Sequence, residues 1–139
     1  NAMRFSLDIS GAYDEEADCN SWKRDYLLSG NVLTITDTFS LKAREASDVE
    51  NFLVQGNVYL PGDLTPEGYL VKKGETVVVN SGKQMRLTYP SDLVPSVTVK
   101  ELTDPRLTNV WGDSLRRISY TSSENAPLKG KYVFKVTEL

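Results

Sequence analysis

Apolar and polar residues alternate with a period of two along most of the chain, and no window of about 11 residues carries a helical apolar stripe. The alternation predicts strands at Phe5–Ser10, Trp22–Leu28, Val32–Phe39, Phe52–Leu60, Tyr69–Val71, Thr76–Val79, Gln84–Tyr89, Val97–Leu102, Leu115–Tyr120 and Tyr132–Val136. Short strands set off by Gly, Pro, Asn and Ser form the pattern of a sandwich or barrel, and we read an all-β antiparallel β-sandwich of roughly ten strands. Ser47–Leu53 admits a second reading as a helical turn, because Ser47 and Glu50 have the spacing of a capping box. Thr103–Asp113, interrupted by Pro105, Asn109 and Gly112, reads as a long loop.

The turns carry the register. Gly30-Asn31 lies between two alternating runs, and Gly at the first central position suits a type II′ hairpin. Ser29 then faces Val32, and stepping outward pairs Leu28 with Leu33, Tyr26 with Ile35, Arg24 with Asp37 and Trp22 with Phe39. The face bearing these residues is otherwise apolar and aromatic, so it should look into the sandwich with Arg24 and Asp37 as a structural cross-strand ion pair. Arg24 as a ligand for a carboxylate or sulfate is the functional alternative. Asn80-Ser81-Gly82 fits a two-residue or a three-residue hairpin loop equally, and Lys72-Lys73-Gly74-Glu75 is a third hairpin candidate.

Composition narrows the chemistry. The 139 residues suit one core, with 40% hydrophobic and 25% charged residues as in ordinary globular chains. Asn1-Ala2-Met3 reads as the remnant of tag cleavage, leaving 4–139 as a single domain. The net charge of −3 offers nucleic acid or an anionic membrane no general attraction, and no apolar run approaches the roughly 20 residues of a membrane helix. Cys19 is the single cysteine, so no intrachain disulfide forms. Histidine is absent, which removes the commonest metal ligand and general base together. No cofactor, metal site or catalytic residue is therefore assigned.

Three surface features invite a ligand. The acidic loop Asp14, Glu15, Glu16, Asp18 with Asn20 has oxygens for calcium, but it lacks the glycine and closing glutamate of an EF-hand, so it reads as solvated. Trp111, beside Asn109 and Asp113 and followed by Arg116 and Arg117, is either a platform for an acidic glycan or a plug at the end of the core. Lys72-Lys73 and the comb Lys129, Lys131, Lys135 would suit sulfate or carboxylate, although alternation splits each adjacent basic pair between two faces, and they read as solvated charges.

The segment SWKRDYLLSGNVLTITDTFSL, Ser21–Leu41, carries Trp-x-Arg on one strand and Asp-x-Phe-x-Leu on its return. DPRLTNVWGDSLRRISY, Asp104–Tyr120, adds a Trp-Gly loop before a strand containing Arg-Ile. In order and spacing these resemble the C-terminal β-sandwich region of heparinase II/III-like polysaccharide lyases. The resemblance implies a non-catalytic part of a larger periplasmic or secreted enzyme that cleaves uronic-acid polysaccharides by β-elimination. Its partner would be an N-terminal α/α-toroid of the parent chain, which supplies most of the catalytic groups; the sandwich would support the toroid or line its channel for an acidic polysaccharide. Some relatives hold a metal in the sandwich on His and Asp, which a chain without histidine cannot reproduce. A free-standing carbohydrate-binding or interaction module is the alternative. A lone sandwich with tight hairpins suggests no cleft able to hold several sugars.

Overall fold

The computed structural model describes residues 1–44 and 46–139. It is an all-β sandwich of two antiparallel sheets. The larger holds β1 (Ala2–Asp8), β2 (Cys19–Ser29), β3 (Val32–Leu41), β5 (Asn57–Tyr59), β6 (Glu75–Asn80), β7 (Lys83–Thr88) and β10 (Lys129–Glu138), in the order β1-β2-β3-β10-β7-β6-β5. The smaller holds β4 (Val49–Val54), β8 (Val94–Glu101) and β9 (Ser114–Thr121), in the order β4-β9-β8. One helix, α1 (Pro105–Trp111), joins β8 to β9.

The first hairpin has the register its turn dictates. Ser29 pairs with Val32, and the ladder runs through Arg24 opposite Asp37 to Trp22 opposite Phe39. Of the two loop residues only Gly30 has a positive φ, 60°, as a type II′ turn requires. In the β6–β7 hairpin Asn80 pairs with Lys83, which makes a two-residue loop. Ser81 and Gly82 both take positive φ, 51° and 78°, so this turn is type I′.

Several expectations need correction. Phe52–Leu60 is not one strand: β4 pairs with β9 in the small sheet and β5 with β6 in the large one. The chain crosses between sheets at Gln55-Gly56, where Gly56 has φ 94°. Tyr69–Val71 is not a strand either, making a single bridge from Leu64 to Leu70 and bonding Val71 back to Gly62 and Asp63 within its own loop. These two errors offset each other in the strand count. Lys72–Glu75 forms a tight turn, with the Glu75 N–H on the Lys72 carbonyl, but no strand precedes it and so it makes no hairpin. The first strand begins at Ala2 and ends at Asp8, with Ser10 in a 3₁₀ turn, so Ala2 and Met3 pair with Ser29 and Leu28. Ser47–Leu53 is not a helical turn, since β4 begins at Val49.

Thr103–Asp113 contains a helix. The Asp104 side chain accepts from the Arg106 N–H, Pro105 occupies the first turn and Gly112 ends it, which is the usual asymmetry of caps. None of its residues is buried, although Leu107, Val110 and Trp111 fall at helical spacing and stay exposed. The caps and that short apolar spacing were the available signals, in a stretch too short for a full stripe.

The core lies between the sheets. Trp22, Ile35, Phe39, Leu87, Val78, Tyr132 and Phe134 come from the large sheet, and Ile118 and Tyr120 from the small one. Trp22 stacks on Phe39 at 5.1 Å and Phe39 on Tyr132 at 4.8 Å, while Tyr120 meets Phe134 at 5.2 Å across the layers. The Tyr120 hydroxyl bonds the buried Thr76 hydroxyl on β6, tying small sheet to large. At the crossing, a Cβ on Gly56 would lie 2.3 Å from the Val79 carbonyl oxygen. Gly56→Ala should therefore cost more than the roughly 1–3 kcal/mol of strain that a positive φ alone imposes. Gly62→Ala has φ 96° and open space, so its denaturant midpoint should fall less; equal losses would contradict the clash.

Candidate functional site

The sandwich has a cleft, though of small-ligand size and not the several-sugar cleft that its tight hairpins argued against. A concavity of about 510 Å³ opens at the end of the sheets where β2, β3 and β4 meet the loop before β2. That is the size of small-ligand sites. Tyr13, Trp22, Arg24, Arg44, Asp48 and Glu50 are among its lining residues.

Two arginine–carboxylate clusters build its wall. In the first, Asp37 is 1% exposed. Its carboxylate accepts from Arg24 Nε at 2.6 Å, from Arg24 Nη2 and from the Trp22 indole N–H at 2.8 Å. The fork geometry of a guanidinium suits this bidentate contact. Arg24 Nη2 also donates to Glu50 Oε2 at 2.7 Å, so one guanidinium on β2 holds Asp37 on β3 and Glu50 on the opposite sheet. In the second cluster Arg44 pairs with Asp48 at 2.6 Å and donates to the carbonyls of Ala126 and Pro127. The Tyr132 hydroxyl donates to Asp48 at 2.7 Å.

These contacts shift protonation. Burial, with the Asp37 charge beside it, pushes the Glu50 carboxyl up to about 8. The hydrogen bond to Asp37 raises the Arg24 guanidinium, against the opposing effect of burial. Burial also lifts the Tyr13 and Tyr132 hydroxyls, with nearby acids adding to it, so both remain protonated. The Cys19 thiol is raised by burial too, away from the reactive thiolate. The cleft thus presents the neutral acid Glu50, the Tyr13 phenol and two guanidiniums already engaged by carboxylates.

The ion pair between Arg24 and Asp37 follows from the period and turn of the first hairpin. Glu50 does not, although a signal existed: alternation in Val49–Val54 sets Glu50 on the same face as Phe52, an acid on an apolar face. The Arg44–Asp48–Tyr132 cluster depends on loops meeting and had no sequence signal.

Trp111, Arg116 and Arg117 do not converge. Trp111 ends α1, 47% exposed, and its carbonyl accepts from the Gln55 side chain. It plugs nothing in the core cluster, and among the described residues it pairs with no other aromatic ring. Arg116, opposite Val54 and Val99, shares the inner face with Ile118, whereas Arg117, opposite Leu53 and Thr98, faces outward. In the acidic loop Glu15–Ala17 is a 3₁₀ turn followed by Asp18 in the left-handed region, and Glu16 and Asp18 join the cleft lining. Among the described residues no group of three or more Asp, Glu or Cys side chains is arranged to hold a metal ion.

Arg24→Ala would leave the buried Asp37 carboxylate without its cation and Glu50 without its donor, and breaking a buried pair from one side costs about 3–5 kcal/mol; an unchanged denaturant midpoint would refute the network. Glu50 supplies a pH signature. The folded chain keeps the Glu50 proton to about 8 while an ordinary glutamate loses it near 4.5. The folded state therefore binds more protons in that window, and stability should fall as pH rises through it. Glu50→Gln should flatten this slope in thermal melts taken from pH 5 to 9. The chain matches no known protein family model and has no match among the curated proteins.

Proposed function

We propose that this chain is the non-catalytic C-terminal β-sandwich domain of a heparinase II/III-like polysaccharide lyase, supporting the catalytic toroid of its parent or lining the substrate channel. The observation that supports this reading is the use made of the two resembling segments. Trp22, Arg24, Asp37 and Phe39 form one interlocked unit of stacking and hydrogen bonds, and Leu41 is buried beside them. Asp104–Tyr120 folds into a capped helix feeding a strand whose Ile118 and Tyr120 have no exposed surface. These motifs mark a scaffold, as an accessory domain requires.

The chemistry of the cleft points the same way. β-Elimination needs a cation to neutralise the uronate carboxylate, a base for the C5 proton and an acid for the leaving oxygen. Arg24 and Arg44 are tied to carboxylates, Glu50 holds its proton and so supplies an acid but no base, and Glu16, Asp18 and Asp48 give the lining an acidic balance that repels a polyanion. The parent works in the periplasm or outside the cell, where its polysaccharide substrates are.

Two measurements test the reading. Incubated alone with heparan sulfate, alginate, hyaluronan or chondroitin, the chain should yield no ultraviolet-absorbing unsaturated product; product above a protein-free blank would overturn the non-catalytic assignment. The source reading frame should encode a long α-helical region ahead of this segment, and a frame without one would overturn the parentage.

A further inference from the structure

Away from the cleft, the outer face of the large sheet carries a second pattern. Over β1, β2, β3 and β10 this face is open: Lys23, Lys129, Lys131, Lys135, Leu27 and Val133 are all exposed on it. Thr34, Thr36, Thr38 and Ser40 run down β3 between the lysines, with no aromatic side chain among them. Register sets the lysines in rows, since Lys23 and Lys131 both pair with Thr38 and Lys135 pairs with Thr34. Strand geometry then spaces Lys23 and Lys131 about 10 Å apart across β3, and Lys131 and Lys135 about 13 Å along β10.

Charge on this face runs against the net −3 of the chain. Every ion pair among the described residues uses an arginine and none a lysine. Asp25 is engaged by Arg4 and Ser6, and Asp8 caps Ser10. Lys23 has Asp8 opposite it on β1, whose charge partly offsets it, while Lys129, Lys131 and Lys135 on β10 stand unneutralised beside a ladder of hydroxyls.

We propose that this face is a docking surface for a linear uronate polysaccharide, with ammonium groups taking its carboxylates and the Thr34–Ser40 ladder exchanging hydrogen bonds with its sugar hydroxyls. Complementarity of charge selects a polyanion. The hydroxyl ladder selects a sugar over an acidic peptide, and the lack of an aromatic platform argues against single-stranded nucleic acid, whose bases need one. The inference extends the accessory-domain reading by giving the chain its own contact with the polymer the parent would cleave, and it places that contact on the sheet, not at Trp111.

The test is titration of the intact chain with a size-defined alginate fragment at low and moderate salt, beside polyglutamate and an oligothymidylate of equal charge. Alginate should bind weakly, more tightly than either comparator, and lose affinity as salt screens the lysines. The double variant K131Q/K135Q should weaken it about three- to tenfold, as expected for two exposed charge contacts, with its melting temperature confirming the fold. Thr36→Val with Thr38→Val should weaken alginate while leaving polyglutamate unchanged. Absent alginate binding, binding indifferent to the lysine variants, or equal binding of all three polymers would overturn the proposal. Binding by a chain whose reading frame lacks a toroid would support the surface while the parentage falls; a toroid ahead of a chain that does not bind would do the reverse.

Discussion

Asp37 puts a carboxylate into an aromatic interior, and the surrounding architecture answers to that charge. An ion withdrawn from water costs several kcal/mol unless a counter-ion and hydrogen bonds replace its hydration. Here the replacement comes from the β2 strand alone, through the Arg24 guanidinium and the Trp22 indole. Both donors stand on the inward face of β2 beside Asp37, and a slip of one residue would turn them to the opposite side. The buried charge and the type II′ turn therefore specify the same register from opposite ends of the hairpin.

Arg24 carries that local pairing into the tertiary structure. Its remaining donor capacity reaches Glu50 on β4, so the sheets are joined at this end by a charged contact and elsewhere by the hydroxyl contact of Thr76 with Tyr120. Between these polar ties the layers meet through aromatic rings. Glu50 is accommodated by keeping its proton, which is how a carboxyl near another buried acid lowers its own desolvation cost. The cleft at this end is a consequence of the network, walled by groups that already satisfy one another.

The two kinds of cation have separate tasks. Arginines, with planar forks that fit carboxylates, make every ion pair among the described residues, whereas lysines, compact and strongly hydrated, make none, and four of them stand on the open sheet face. Net charge conceals this division, because acidic loops offset a basic face.

Much of the fold was legible because its causes are local. Period-two alternation identified most strands, and a Gly at the first position of a two-residue turn set the register that placed Arg24 against Asp37. Short-range chemistry was also present but unread at α1, where Asp104, Pro105 and Gly112 cap a short helix whose Leu107, Val110 and Trp111 stay exposed. What the sequence alone could not supply is which strand lies against which: alternation looks the same on either side of Gly56, so it does not reveal that β4 and β5 belong to different sheets. Glu50 beneath Arg24, Tyr132 beside Asp48, and lysines of β2 and β10 flanking the threonines of β3 are likewise products of packing. Period and turn chemistry act over a few residues, whereas these meetings are decided by how two sheets bury their apolar faces together.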